Sequence, residues 1–339
     1  MTNTKPPQEC SPCAIRWWLL PALCVGTLLA LGACLLAGVT GFGLPDLNTE
    51  QGQAIFNLRF QRVLTGFLVG ASLSCAGTVF QALLRNPLAE PYVLGVSSGG
   101  ALGAAAAILG GLGAVAGVPV VPLCAFVGAA ITLVIVYALA SRNGAPSVYS
   151  LILSGVIVSS VASSLLMFGI SVAPMQGMHT VIWWMLGNLQ AESPALLTAC
   201  AVPMAAAMLG VWLLAPELNA LTLGREMAHF LGVRTKIAIV LGLLLATVMT
   251  AAAVGLAGLI GFVGLVVPHA MRSLFGADHR RLIPAVVLCG GAFLALCDAL
   301  ARSILPSIGE IPVGVVTSLV GGPFFLFLLR RGRKGGWPA

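Results

Sequence analysis

Apolar residues run along this chain in long stretches separated by short polar turns. A hydrocarbon core of roughly 30 Å is crossed by about 20 helical residues rising about 1.5 Å each, so charge-free stretches divide into spans by length. The division predicts ten helices, at residues 16–38, 59–82, 93–111, 117–140, 148–171, 192–214, 236–255, 257–274, 283–303 and 311–329. Two of the divisions rest on breaker residues instead of charge. Val93 to Ser141 is uncharged and too long for one span, and it breaks at Gly110-Gly111-Leu112-Gly113 ahead of Pro119 and Pro122. Ile237 to Met271 is uncharged as well, and a break near Gly255 leaves two short spans joined by a tight turn.

Composition places the chain in the same class. Only 8% of residues are charged, against roughly 25% in ordinary soluble domains. Apolar residues make up 59% before the 41 glycines are counted, and the expected fold is therefore all-α and polytopic. No aqueous domain can be cut out, so residues 16–331 form one ten-span unit between tails at 1–15 and 332–339. With both tails inside, ten spans place Lys5, Arg16, Arg85, Arg142, Arg225, Arg234, Lys236, Arg272, Arg280, Arg281, Arg330, Arg331, Arg333 and Lys334 on one side, as the positive-inside bias requires. Nine or eleven spans break that pattern. Three cations are left over, Arg59, Arg62 and Arg302, all at the opposite boundary.

Several chemistries are absent. No Gly-x-x-x-x-Gly-Lys-Ser/Thr occurs, so any nucleotide hydrolysis belongs to another polypeptide. His-Glu-x-x-His is missing, and His179, His229, His269 and His279 are too scattered for a metal cluster. Cys10-x-x-Cys13 is at most half of a metal site, and the other seven cysteines lie within spans as small apolar residues. Gly95-Val96-Ser97-Ser98-Gly99 has the outline of a serine nucleophile turn but lacks a His-carboxylate partner, and reads as a helix start. Small residues recur at Gly95, Gly99, Gly103, Ala107 and Gly111, a face for close helix packing. Leu31-Gly32-Ala33-Cys34 resembles a lipoprotein cleavage site, but the apolar run of about 22 residues exceeds the 7–15 of a signal peptide, and an anchor is expected.

Asp298 is the candidate for an ionisable group within the bilayer. It precedes Arg302 by four residues on one helical face, which reads as a local ion pair ahead of a proton-carrying role. Trp183 and Trp184 suit a helix lying at the interface within 172–191. Glu217 to Val233 is a polar island of helix-forming sequence on the basic side, broken at Gly224 and Gly232. Leu218, Leu221, Leu223, Met227, Phe230 and Leu231 are too many apolar residues for a solvated loop. Two short helices under the membrane would offer a knob to a soluble partner, or would simply lie at the interface.

Five motifs carry a resemblance. Arg85-Asn86-Pro87-Leu88-Ala89-Glu90-Pro91-Tyr92-Val93-Leu94-Gly95, Leu223 to Val233, Gly261-Phe262-Val263-Gly264-Leu265-Val266-Val267-Pro268-His269, Asp278-His279-Arg280-Arg281 and Glu310-Ile311-Pro312-Val313-Gly314 closely resemble the FecCD-type permeases. These are membrane subunits of bacterial ABC importers for iron-siderophores, haem and vitamin B12. The resemblance runs from about Arg59 to Arg331. It implies a type II ABC importer permease fold in the bacterial cytoplasmic (inner) membrane, paired with a second copy or close relative. It also implies inverted repeats, spans two to five against seven to ten.

The implied partners are two cytosolic ABC ATPases, which carry ATP and Mg, and a periplasmic or surface-anchored substrate-binding protein. No cofactor or metal is expected on this chain, and no nucleic acid; its other surroundings are membrane lipid. By the resemblance, Arg59, Arg62 and Arg302 meet acidic residues of the binding protein, a role for which the planar guanidinium suits carboxylates. The alternative is headgroup anchoring by snorkelling. The resemblance further implies ATPase coupling through Leu221, Gly224, Arg225, Glu226, Ala228, Leu231 and Gly232, and a cytoplasmic gate at Asn86, Pro87, Leu88, Val148 and Tyr149. The chain departs from the family at three points: Phe60-Gln61 replaces a usual Leu-Pro, Arg225 a usual acid, and Tyr149 a small polar residue.

The implied function is import of a metal chelate by ATP-driven alternating access, iron-siderophore first, then haem or vitamin B12. The chain itself is then a transport subunit and not an enzyme. The competing class is an ion-coupled secondary transporter or channel that works without an ATPase.

Overall fold

The computed structural model describes residues 19–38, 41–112, 114–115, 118–141, 147–189, 193–304 and 310–332. The tails at 1–15 and 333–339, with Lys5, Cys10, Cys13, Arg333 and Lys334, lie outside the described residues, as do Arg16 and Arg142. Among the described residues seven helices are long and apolar enough to cross a bilayer: α1 (Leu19–Leu36), α2 (Glu50–Leu83), α4 (Val120–Ala140), α5 (Val148–Ser171), α7 (Pro194–Leu213), α10 (Thr235–Ala257) and α12 (His279–Ser303). Two shorter apolar helices, α3 (Val96–Leu109) and α11 (Val263–Phe275), and α13 (Val313–Gly332), whose apolar stretch is Val313–Leu326, occupy the third, eighth and tenth expected spans. The remaining helices are α6 (Met175–Met185), α8 (Ala215–Thr222) and α9 (Arg225–Phe230).

The helix α2 begins nine residues before the expected 59–82 span. Thr49 caps it, its Oγ1 accepting the Gly52 N–H at 3.1 Å, and Glu50 follows in the first turn, where an acid suits the helix dipole. With Gln61 in place of a proline, every N–H through this region can bond within the helix. Two short antiparallel ribbons were also not expected: β1 (Ala37–Gly38) with β2 (Gly41–Phe42), and β3 (Ala114–Val115) with β4 (Val118–Pro119).

Helices in hydrocarbon gain little from burying apolar surface against one another, so close packing has to hold them. A Cβ on Gly70 of α2 would run into the Gly290 carbonyl of α12, and one on Gly290 into Ser74. Between α3 and α4 the expected small-residue stripe meets the partner backbone: a Cβ at Gly99 would strike Gly128 and Thr132, and one at Gly103 the Cys124 carbonyl. Ala107 is buried along the same stripe, whereas nothing lies within 4 Å of a Cβ at Gly111.

The break after α10 differs in kind from the tight turn expected near Gly255. The helix continues to Ala257, and Gly258 to Phe262 then run without regular structure before α11 begins. Gly264, in the first turn of α11, packs on the Leu73 carbonyl and the Pro91 ring. Leu73 is ten residues before the end of α2, roughly 15 Å along its axis and so about half the bilayer deep. A short 3-10 turn, Pro91–Leu94, reaches the same depth from the opposite direction. Two unwound segments therefore meet inside the bundle, and α3 and α11 are short because each starts at that level.

Candidate transport sites

The far end of the bundle, opposite the basic loops, holds all three leftover arginines. Arg62 of α2 donates through Nε to Asp298 at 3.0 and 3.2 Å and through Nη1 to Glu310 at 2.8 Å. Arg302 Nε lies 2.9 Å from Asp298 Oδ2, the oxygen 3.2 Å from Arg62 Nε, the expected local pair four residues apart. Arg302 also donates to the Ala37 carbonyl at 3.1 Å. Arg59 donates to the carbonyls of Leu35, Leu36 and Gly43. Its side chain therefore fixes the ribbon between α1 and α2.

These arginines converge, but not as an exposed rim. Arg59 is 8% exposed and Arg302 4%, and only Arg62, at 13% for its side chain, keeps some access to solvent. Each guanidinium has an internal partner, which also departs from the snorkelling alternative. The well-exposed charges beside them are the carboxylates Asp46, Glu50 and Glu310.

At the basic end α8 and α9 form the two short helices expected between Glu217 and Val233. Gly224 (φ 111°) and Gly232 (φ 84°) take backbone angles that a side chain would disfavour, so each helix stops there. The island has two faces. Leu218, Leu221 and Ala228 are buried and anchor it to the bundle, while Leu223, Met227, Phe230 and Leu231 project outward, Phe230 at 83% exposure. Arg225 and Glu226 are exposed beside them. Of the candidate coupling residues, Leu221 and Ala228 thus face inward and Leu231 outward; Phe230 and Met227 belong with the outward group.

A latch that the sequence reading missed holds α8 to α12. Asn219 donates through Nδ2 to Asp278 at 2.7 Å, and its Oδ1 accepts the His279 backbone N–H at 2.9 Å and lies 2.6 Å from His279 Nδ1. Asp278 is the N-cap of α12 and accepts the Arg280 N–H at 3.1 Å. An aspartate just before a helix was the available signal.

The candidate gate residues sit at the same end. Asn86 accepts the Leu88 N–H through Oδ1 at 2.9 Å, which shapes the turn after α2 together with Pro87. Val148 is the first residue of α5, and Tyr149 beside it is 75% exposed. Arg85, at φ 47°, leads into this turn, and a Cβ on Gly224 would lie 3.4 Å from its guanidinium. The candidate gate turn and the Gly224 elbow between α8 and α9 are therefore neighbours. Deeper in, the Phe262 N–H donates to Glu90 at 2.6 Å, and the Tyr92 hydroxyl both donates to the Ile260 carbonyl and accepts its N–H, each at 3.1 Å. Neither side chain stood out in the sequence, because Glu90 reads as a loop residue when depth is unknown.

A bundle of apolar spans with unwound segments meeting at mid-depth and an apolar knob beneath it defines a transport permease. The chain belongs to the FecCD transport family, whose model matches residues 18–331. It is 42% identical over 298 residues to the cobalamin import system permease protein BtuC of Halobacterium salinarum, covering 85% of this chain and 76% of that one. It is 38% identical over 333 residues to the hemin transport system permease protein HmuU of Yersinia pestis, covering 93% and 97%. Among solved structures, an inward-facing metal-chelate type ABC transporter superposes with a TM-score of 0.80 at 32% identity, over 92% of this chain and 99% of that one.

Proposed function

We propose that this chain is the membrane subunit of a binding-protein-dependent ABC importer, moving a metal chelate into the cytoplasm by ATP-driven alternating access. The observation that carries the reading is the outward apolar face of α8 and α9, packed beside the gate turn in a chain of this family. Exposed Phe230, Leu231 and Met227 call for a protein partner, and an ATPase docked there would push on Arg85 and the turn after it. Positive-inside bias orients that end to the cytosol in the bacterial inner membrane, with both tails on the same side.

The cargo would be an iron-siderophore, haem or a cobamide; the relatives named for cobalamin and hemin support the chelate class. A second copy of the chain would complete the path, two ATPases would carry ATP and Mg, and a substrate-binding protein would dock at the far end. Of the docking arginines, Arg62 is the one with a surface to offer, flanked by Glu310. The test is reconstitution of the chain in liposomes with and without its ATPase, supplying binding protein loaded with ferric siderophore, haem or cyanocobalamin. ATP-dependent accumulation of one of the three is expected. Uptake driven by an ion gradient without ATP would overturn the reading.

A further inference from the structure

The meeting of the two unwound segments joins opposite ends of the molecule. On one side, the segment from Arg85 to Gly95 begins at the gate turn. On the other, the segment from Gly258 to Phe262 leads to the far end, where the Asn188 N–H donates to the Ala257 carbonyl at 2.9 Å and Gly314, starting α13, packs against the carbonyls of Leu186 and Leu259. Between them, the hydrogen bonds from side chain to backbone are those of Glu90 and Tyr92. Phe262 is held at φ 68°, a conformation uncommon for an aromatic residue, with its N–H on Glu90 and its ring against Gly321 of α13.

We propose that Glu90 and Tyr92 are positioning residues that strap the gate turn to the break between α10 and α11, so that a displacement at the basic end is transmitted to the far end. The physical basis is that backbone without helical bonds is soft unless its polar groups are fixed elsewhere. Here Glu90 fixes the Phe262 N–H, and Tyr92 fixes both polar groups of Ile260. Without the strap the gate turn could move while residues 258–262 rearrange locally and absorb the motion. A carboxylate and a phenol are suited to such a strap, since one accepts from the N–H that starts α11 and the other donates and accepts at once.

This inference rests on the importer reading, and the experiment separates the two. The complete transporter, with ATPases, is placed in lipid nanodiscs after replacement of the native cysteines, and spin labels are introduced in separate samples at Tyr149 (basic end) or Met175 (far end). Pulsed electron resonance reads the distance between the labels of the two copies before and after trapping with ATP and vanadate. In the parent both distances shift; if neither shifts, the importer reading itself fails. In Glu90→Ala and Tyr92→Phe the shift at Tyr149 remains and the shift at Met175 falls by at least half, whereas Glu90→Gln, which keeps an acceptor, follows the parent. A far-end shift equal to the parent in Tyr92→Phe, which keeps the ring and should fold, overturns the strap. So does Glu90→Gln behaving as Glu90→Ala when both fold, since the hydrogen bond would then not be what matters.

Discussion

Arg62 and Asp298 stand 236 positions apart in the chain and meet at 3.0 Å between α2 and α12. Asp298 is 1% exposed and also faces Arg302, so one carboxylate serves two guanidiniums in an apolar setting. Removing one partner of a buried ion pair costs about 3–5 kcal/mol because the other charge is left uncompensated. Asp298→Asn is therefore expected to lower the melting temperature of the detergent-solubilised protein markedly. An unchanged melting curve would show that the cluster does not stabilise the fold.

Arg62 and its two buried neighbours separate docking from stability. Replacing Arg59 or Arg302 by Glu puts a carboxylate beside backbone carbonyls in the interior, and loss of folded protein is expected. Arg62→Gln keeps a donor for Asp298, which retains Arg302 as its counter-charge, so the variant should fold with a lowered melting temperature, yet weaken capture of the binding protein by several-fold, in line with roughly 0–1 kcal/mol for an exposed pair. Surface plasmon resonance across a salt series checks this. Equal affinity of Arg62→Gln and the parent at low salt counts against a docking role.

The outward face of α9 makes a second separation possible. Phe230→Asp or Leu231→Asp alters a side chain already in solvent, so expression and melting should stay near the parent while the ATPase no longer copurifies. Ala228→Asp, fully buried, should instead reduce folded yield. Normal ATPase recovery with Phe230→Asp and Leu231→Asp would remove the coupling role of this face.

Acid should loosen the contact of α8 with α12 at Asp278. Burial pushes its carboxyl up, but the hydrogen bonds from Asn219 and the Arg280 N–H, with the charges of Arg281 and Arg280, outweigh that and hold it below the usual carboxylate range. A depressed value in the folded state stabilises fully above the unfolded value of about 3.9 and is lost as pH falls through the folded one. Between about pH 5 and 3, by order of magnitude from those reference values, the parent should lose more melting temperature than Asp278→Asn, which still caps α12. Parallel acid profiles for the two would exclude this contribution.

Much of the plan was legible along the chain. Long uncharged runs have one physical outlet in a bilayer, so α5 falls on the expected 148–171, and α6 lies within the expected 172–191 and carries Trp183 and Trp184. The two short helices between Glu217 and Val233 were visible because apolar residues recur there in a polar stretch broken by Gly224 and Gly232. Depth was not legible. Glu90 lies in a loop by composition, whereas Phe262 falls within the expected span 257–274, and the shortness of α3 and α11 follows from where the two unwound segments meet.

By itself the amino-acid sequence determined the mostly helical membrane class and the family, and it placed helices close to the expected spans, because each depends on composition or on contacts within one helix. Only the tertiary structure decided that the three far-end arginines turn inward, that α8 latches onto Asp278, and that two unwound segments clasp at mid-depth. Those outcomes depend on which backbones approach each other across 59 to 265 positions of chain. Pairing of that kind is set by three-dimensional packing, which no local pattern of residues encodes.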